Sequence, residues 1–359
     1  MSKKKDLVIF VIPSFELGGT ERQVLSVASG LKTYCKVIVI GQRGGSLINL
    51  YRENGITTLT LFPRLGPLTF KSIRYFLKAR GSFNKLIVDA FLPSSVIMGA
   101  VVKMIFPKRL FLIGNRRSML FYRQGRRWLS FLDRWGTSKC DVFVCNSPVV
   151  ASEALEQCEI SSERVLVIPN GITPPEEPIR FQMSLQPQIF HVSNHHHYKK
   201  SITLLAAIHD SEISPTVRVH MFGKGAETPM LQTYADQNQL DQVCFHGQEF
   251  DPWSKSQFGD IYVHTSETES FSNSILEAMS YGLVPIVTDL EANHFVAGDS
   301  ALYFAAGDYK ELRALIGKVI SDRGLRKTLS HKARSRVLSK FTIDSAVTRR
   351  RNLYQTLGV

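Results

Sequence analysis

The stretch Glu269-Ser270-Phe271-Ser272-Asn273-Ser274-Ile275-Leu276-Glu277-Ala278-Met279-Ser280-Tyr281-Gly282-Leu283-Val284-Pro285 places two glutamates eight positions apart around the start of an apolar helix that stops at a glycine. Ser272 or Asn273 suits the N-cap, Ile275, Leu276 and Met279 recur on one buried face, and Gly282 supplies a left-handed exit before a Val-Pro-Ile-Val strand. Glu269 then lies just outside the helix mouth, and Glu277 lies about 6 Å along the axis at about 1.5 Å per residue. A helix mouth gathers backbone N–H groups and partial positive charge, which suits a diphosphate, while flanking carboxylates accept hydrogen bonds from hydroxyls. A ligand presenting a sugar, a diphosphate and a ribose offers those groups in that order.

Outward from this segment, short apolar runs alternate with helical patterns. Leu7–Ile12, Val37–Ile40, Leu86–Val88, Leu110–Ile113, Val142–Cys145 and Val165–Ile168 read as buried strands, with helical stretches near 20–32, 68–80, 93–105, 125–138 and 148–157. A second series runs through Ile189–Val192, Val217–Phe222, Val243–Phe245, Ile261–Val263, Val284–Val287 and Leu302–Phe304. Between the series, Pro169-Asn170-Gly171-Ile172-Thr173-Pro174-Pro175-Glu176-Glu177-Pro178 is rich in breakers and poor in apolar residues. The expectation is an α/β protein of two doubly wound, Rossmann-like domains facing a cleft: 1–170, a linker over 171–187, and 188–340. Ligands of such sheets bind beyond the carboxyl ends of the strands.

The 359 residues, 44% of them hydrophobic, suit two such cores. Five unclustered cysteines suggest neither a disulfide framework nor a zinc site, and favour a reducing cytoplasm. Pro13 and Gly18-Gly19 end the first apolar run too soon for a signal peptide, so it reads as a strand. No run of 18 apolar residues is present to span a bilayer.

The net charge of +13 is uneven: residues 1–171 hold 25 Lys and Arg against 11 Asp and Glu, residues 172–359 hold 19 against 20. The excess peaks between Lys103 and Lys139, where Arg116, Arg117, Arg123, Arg126, Arg127 and Arg134 alternate with Phe121, Tyr122, Trp128, Phe131 and Trp135, facing only Asp133. Basic residues beside interfacial aromatics suit an anionic membrane surface. Nucleic acid and a merely solvated face are the rivals, and no nucleic-acid-binding signature accompanies the charge.

The whole string from Glu269 to Pro285 resembles the Glu-x7-Glu signature of the retaining glycosyltransferases of family 4. The resemblance runs along nearly the whole chain. Gly18-Gly19-Thr20-Glu21 is similar to the family's Gly-Gly-x-Glu loop, with Thr20 suited to cap the helix that follows. Val144-Cys145-Asn146-Ser147 and Val167-Ile168-Pro169-Asn170-Gly171 resemble the markers that close its first domain, and Phe222-Gly223-Lys224-Gly225 its Gly-x-Gly turn, which shapes the cleft. Residues 341–359 resemble its terminal helix, which packs back across the first domain.

There are departures. In Val192-Ser193-Asn194-His195-His196-His197-Tyr198-Lys199-Lys200, Asn194 stands where the family usually has Arg, so one fixed charge is lost. Lys199 matches the family's lysine; a one-residue shift of the following helix puts Lys200 there instead. Ser270 replaces a glycine, and His294-Phe295 replaces a polar pair.

The resemblance implies the GT-B fold and sugar transfer from a nucleotide-diphosphate sugar to a glycan or lipid-linked acceptor in cell-surface polysaccharide synthesis, with retained anomeric configuration. It implies Glu269 on the sugar hydroxyls and Glu277 on the ribose. Asn194, Lys199 and Lys200, with the N–H groups around Ser272, Asn273, Ser274 and Ile275, are expected at the diphosphate. Gly18, Gly19, Gly223, Ser270 and Phe271 complete the expected donor site, and Arg116, Arg117, Arg126 and Arg127 the acceptor or membrane surface. No cofactor or metal is expected: there is no Asp-x-Asp, and the three consecutive histidines cannot converge on one ion. The expected location is the cytoplasm, peripheral on the inner face of the membrane. The alternatives are a non-catalytic GT-B relative bound at a membrane surface, and a nucleotide-sugar epimerase. A dinucleotide oxidoreductase would need a G-x-G-x-x-G that is absent after the first strand.

Overall fold

The computed structural model describes residues 7–61, 86–107, 110–118, 127–158, 160–176, 183, 185–209 and 217–358. The chain divides into two units, Met1–Ile172 with Ile343–Val359, and Thr173–Thr342.

In the first unit, strands β1 (Leu7–Ile12), β2 (Lys36–Gly41), β3 (Thr57–Thr60), β4 (Leu86–Phe91), β5 (Leu110–Arg116), β6 (Val142–Cys145) and β7 (Val165–Val167) form one parallel sheet in the order β3-β2-β1-β4-β5-β6-β7. β1 is buried at every position, as expected of a strand covered on both faces. Helices α1 (Gly19–Leu31), α2 (Ile48–Glu53), α3 (Pro93–Ile105), α4 (Arg127–Ser138) and α5 (Pro148–Cys158) connect the strands.

The edge strand β3, Thr-Thr-Leu-Thr with no fully buried residue, was not expected, because one apolar residue gives no periodic signal. The helix expected near 68–80 lies outside the described residues.

In the second unit, β8 (Ile189–Val192), β9 (Val219–Phe222), β10 (Val243–Gly247), β11 (Ile261–His264), β12 (Val284–Thr288) and β13 (Leu302–Phe304) form a parallel sheet ordered β10-β9-β8-β11-β12-β13. This is the doubly wound strand order, and it reverses between β8 and β11. α6 (Ile202–His209), α7 (Thr228–Gln237), α8 (Asn273–Ser280), α9 (Glu291–Ala297), α10 (Tyr309–Ser321) and α11 (Arg323–Lys340) accompany it. The fold class is therefore the one expected, two Rossmann-like α/β units.

The last helix, α12 (Ile343–Thr356), is part of the first unit. Arg350 on α12 pairs with Asp89 in β4 and donates to Asn115 Oδ1 at 2.6 Å, and Tyr354 donates to Asp89 Oδ2 at 2.6 Å. All four side chains are buried.

Candidate functional site

The reversal of strand order places the loops after β8 and β11 side by side, and both carry the residues singled out by sequence. After β8 the chain passes Ser193 and Asn194 and enters a single 3-10 turn, His197–Lys199. Thr265 donates to the Lys199 carbonyl at 2.7 Å, and Glu267 N–H donates to the Tyr198 carbonyl at 2.9 Å, which pins this turn to the loop after β11. The Lys199 ammonium pairs with Glu269 Oε1 and lies 5.3 Å from the centre of the Tyr198 ring. Lys200 has a left-handed backbone, φ 50°, and its ammonium goes to Glu267 Oε2 at 3.2 Å instead. Lys199 is thus the cation beside Glu269. The Asn194 side chain is exposed.

Three donors converge on Glu269 Oε1: Lys199, His264 Nε2 at 3.2 Å and Ser266 Oγ at 3.3 Å. Burial alone would raise this carboxyl, but the His264 hydrogen bond and the Lys199 charge outweigh it and hold the pKa at about 2.

Helix α8 begins as expected. Ser272 is the N-cap, its Oγ accepting from Ile275 N–H at 3.3 Å, and Ile275, Leu276 and Met279 are buried beneath. Gly282 exits at φ 76°. Two expectations are corrected here. The cap engages the Ile275 N–H that had been assigned to a diphosphate. Phe271 is buried edge-on against Phe295 and Phe341, so its ring is scaffold. Ser274 Oγ accepts from Tyr262 at 2.7 Å, which ties the helix mouth to β11. One turn in, Glu277 Oε2 accepts from Trp253 Nε1 at 3.1 Å.

The turn after β9 positions the loop after β8. At Gly223, φ 123°, a Cβ would stand 1.8 Å from the Ser193 carbonyl oxygen; at Gly225 it would stand 2.3 Å from that of His195. Only glycine lets the two loops lie this close. His195 is buried, with Nδ1 2.9 Å from Thr228 Oγ1. Among the described residues no group of three or more His, Cys, Asp or Glu side chains is placed to hold a metal ion.

In the first unit, Gly18 is the N-cap of α1, in an extended conformation and without a side-chain cap, and Gly19 opens the helix. Thr20, expected as the cap, lies inside α1. Arg116 does not belong to a surface. It ends β5, longer than expected, and is buried against Asp133 and Cys158, because a guanidinium this deep needs a carboxylate partner. Arg117 is half-buried, bonded to Asn170 and 4.9 Å from the Phe91 ring centre. Arg126 and the Arg127 side chain lie outside the described residues. Trp128 and Phe131 on α4 are exposed, as are Met104 and Ile105 at the end of α3. No helix of the described residues is long and apolar enough to cross a membrane.

Sequence reasoning missed His264, Ser266 and Trp253. The first two stand five and three residues before Glu269, just past the expected end of a strand. Trp253 had no spacing to announce it, 24 residues before its partner.

Residues 17–175 match the family model Glycosyltransferase Family 4, and residues 177–336 match Glycosyl transferases group 1. Among solved structures, HepE of Anabaena in complex with UDP and glucose is similar with a TM-score of 0.80, covering 98% of this chain and 99% of its own at 18% identity. A glycosyltransferase from Rickettsia africae scores 0.76 over 98% of each chain at 16% identity. The lipopolysaccharide outer core galactosyltransferase WaaB scores 0.72 over 98% of this chain and 99% of its own at 14% identity. The capsular polysaccharide biosynthesis glycosyltransferase CapM of Staphylococcus aureus is 29% identical over 108 residues, a stretch that spans 30% of this chain and 28% of CapM.

The two Rossmann-like units and the two matched models, each over a little under half of the chain, make the chain similar to glycosyltransferases of the GT-B fold. Its sequence is of the family 4 and group 1 kind, the two models covering consecutive stretches.

Proposed function

We propose that the chain transfers a hexosyl or N-acetylhexosaminyl group, without a metal ion, from a nucleotide-diphosphate sugar to a glycan or lipid-linked acceptor in cell-surface polysaccharide synthesis, with retention of configuration. The observation that carries this reading is the convergence of Lys199, Glu269 and the capped mouth of α8 at the strand-order reversal of the second sheet. The names of similar proteins support it: HepE is a complex with UDP and glucose, and CapM and WaaB are glycosyltransferases of capsule and lipopolysaccharide.

In this mechanism Glu277 accepts from the ribose hydroxyls while Trp253 steadies it. Glu269 accepts from a hydroxyl of the sugar. Lys199 and the helix-mouth N–H groups of Asn273 and Ser274 stabilise the phosphate oxygens as the bond from the anomeric carbon to the diphosphate breaks. The acceptor oxygen forms the new bond on the face the diphosphate leaves, and its proton passes to the departing phosphate. The loss of a family arginine at Asn194 leaves Lys199 as the principal fixed charge for this step.

The acceptor side is read as facing an anionic bilayer on the cytoplasmic face. Its support is the net +14 of residues 1–171 with the exposed Trp128 and Phe131 of α4. Arg116 takes no part in it.

Binding of UDP-, GDP- and ADP-sugars, followed by thermal shift and nucleotide release in the presence of a chelator, tests the reading. Stabilisation and turnover with one nucleotide class, both lost in Glu277→Ala, are expected. A chain that neither binds nor cleaves any of them would sink it.

A further inference from the structure

His264 is the last residue of β11 and is 2% exposed. Its Nε2 is 3.2 Å from Glu269 Oε1 and 3.4 Å from Ser266 Oγ, and its Nδ1 is buried with no hydrogen-bond partner. A carboxylate only accepts, so Nε2 must carry the proton that faces Glu269. A second proton on Nδ1 would be buried without an acceptor, so the neutral Nε2–H tautomer is the one this site holds. Burial also pushes the ring's pKa down, against the opposing pull of Glu269. A leucine would fill this strand position without leaving a nitrogen unpaired. Groups that break a local rule in this way call for an explanation in function.

We propose that His264 is a positioning residue for Glu269: with Ser266 it fixes Oε1 of the carboxylate, leaving Oε2, which makes none of these contacts, to meet the ligand. Lys199 pairs with the same Oε1, so three donors, one from the turn after β8, one from the end of β11 and one from the loop that follows it, set one rotamer of Glu269. Without His264, the carboxylate would be held by the mobile end of a lysine and a hydroxyl, and the lysine is needed elsewhere when a diphosphate arrives. That ligand identity rests on the function proposed above; the positioning itself does not. The titratable groups that act on the pair are Lys199, which faces both, His191 in β8, which faces His264, and Tyr262 in β11, which faces Glu269.

The test follows the Glu269 carboxyl directly, by carbon NMR of protein labelled at the glutamate δ-carbon, with Glu269→Gln to assign the resonance. His264→Phe keeps a ring and removes both nitrogens, and His264→Gln keeps a donor near the Nε2 position; His264→Leu replaces the phenylalanine should that variant not fold. The phenylalanine variant is expected to raise the midpoint by about one pH unit, because a hydrogen bond to the charged form is lost, and the glutamine variant to restore most of it. With a sugar-nucleotide donor, His264→Phe should raise KM about tenfold. An unmoved midpoint in a folded His264→Phe or His264→Leu protein overturns the proposal. Moved midpoints in a protein that binds no sugar nucleotide would leave the positioning standing and remove the donor reading instead.

Discussion

Trp253 Nε1 donates to Glu277 Oε2 across 3.1 Å, from the loop between β10 and β11 to the second turn of α8. Trp253 is buried, edge-on to Tyr262 with ring centres 5.5 Å apart, so the donor is rigid. The pair links a residue that sequence identified to one that it did not.

Trp253→Phe keeps most of the ring volume and removes this donor. A hydrogen bond to a charged group is worth about 1.5–3 kcal/mol, so nucleotide affinity should fall roughly tenfold to a hundredfold while the melting temperature moves little. Calorimetric titration with the preferred nucleotide measures it.

Lys199→Ala should lower turnover of the sugar nucleotide by about 10²–10³, the usual consequence of losing one group that stabilises developing charge. Lys200→Ala, which breaks a more exposed pair with Glu267, should cost less than about 1 kcal/mol in the same assay. Equal losses in the two variants would return the phosphate role to an undecided pair.

The Asp89–Arg350 pair is expected to hold α12 in place. Side-chain exposures of 0% and 1% mean that Asp89→Asn leaves a buried guanidinium without its counter-charge, a loss of about 3–5 kcal/mol. The double variant Asp89→Asn/Arg350→Met should recover much of it. Chemical unfolding of the three variants gives the comparison, and a double variant no better than Asp89→Asn would contradict the account.

Acid should weaken the second unit in two windows. His191 is buried between the Val263 carbonyl and Ser201 Oγ, at 2.9 Å each, and burial draws its pKa from 6.5 to about 3. The unfolded chain takes up this proton below pH 6.5 and the folded one does not. Its contribution is complete above pH 6.5 and declines toward pH 3, by about 1.4 kcal/mol per pH unit. Glu269, depressed from 4.5 to about 2, adds a loss that sets in below pH 4.5. Urea unfolding between pH 7.5 and 4 should show the first decline, and His191→Gln should flatten it; His195, His220, His246 and His264, all lowered by burial, keep the slope from vanishing.

Most of the sheet was legible because strands buried on both faces are near-continuous apolar runs, and Leu7–Ile12 and Ile189–Val192 are such runs. The cap at Ser272, the buried stripe of α8 and the exit at Gly282 were legible for the same reason: they are local, set by side-chain chemistry within one helix. Glu269, Glu277 and Lys199 were found from the sequence string. Their partners were not. That Lys199 and not Lys200 meets Glu269, that His264 and Ser266 share its oxygen, and that Trp253 reaches Glu277 depend on which loops the strand order brings together. Arg116 shows the reverse failure, since composition read its charge as surface, while three added residues at the end of β5 carried it inside to Asp133. Sequence alone determined the elements and the chemistry available, because periodicity and capping act over a few residues. Tertiary structure alone decided which charges are paired and which oxygen of Glu269 is held, because burial and Coulomb partners are set by residues far away in the chain, 70 positions for Lys199 and Glu269 and 261 for Asp89 and Arg350.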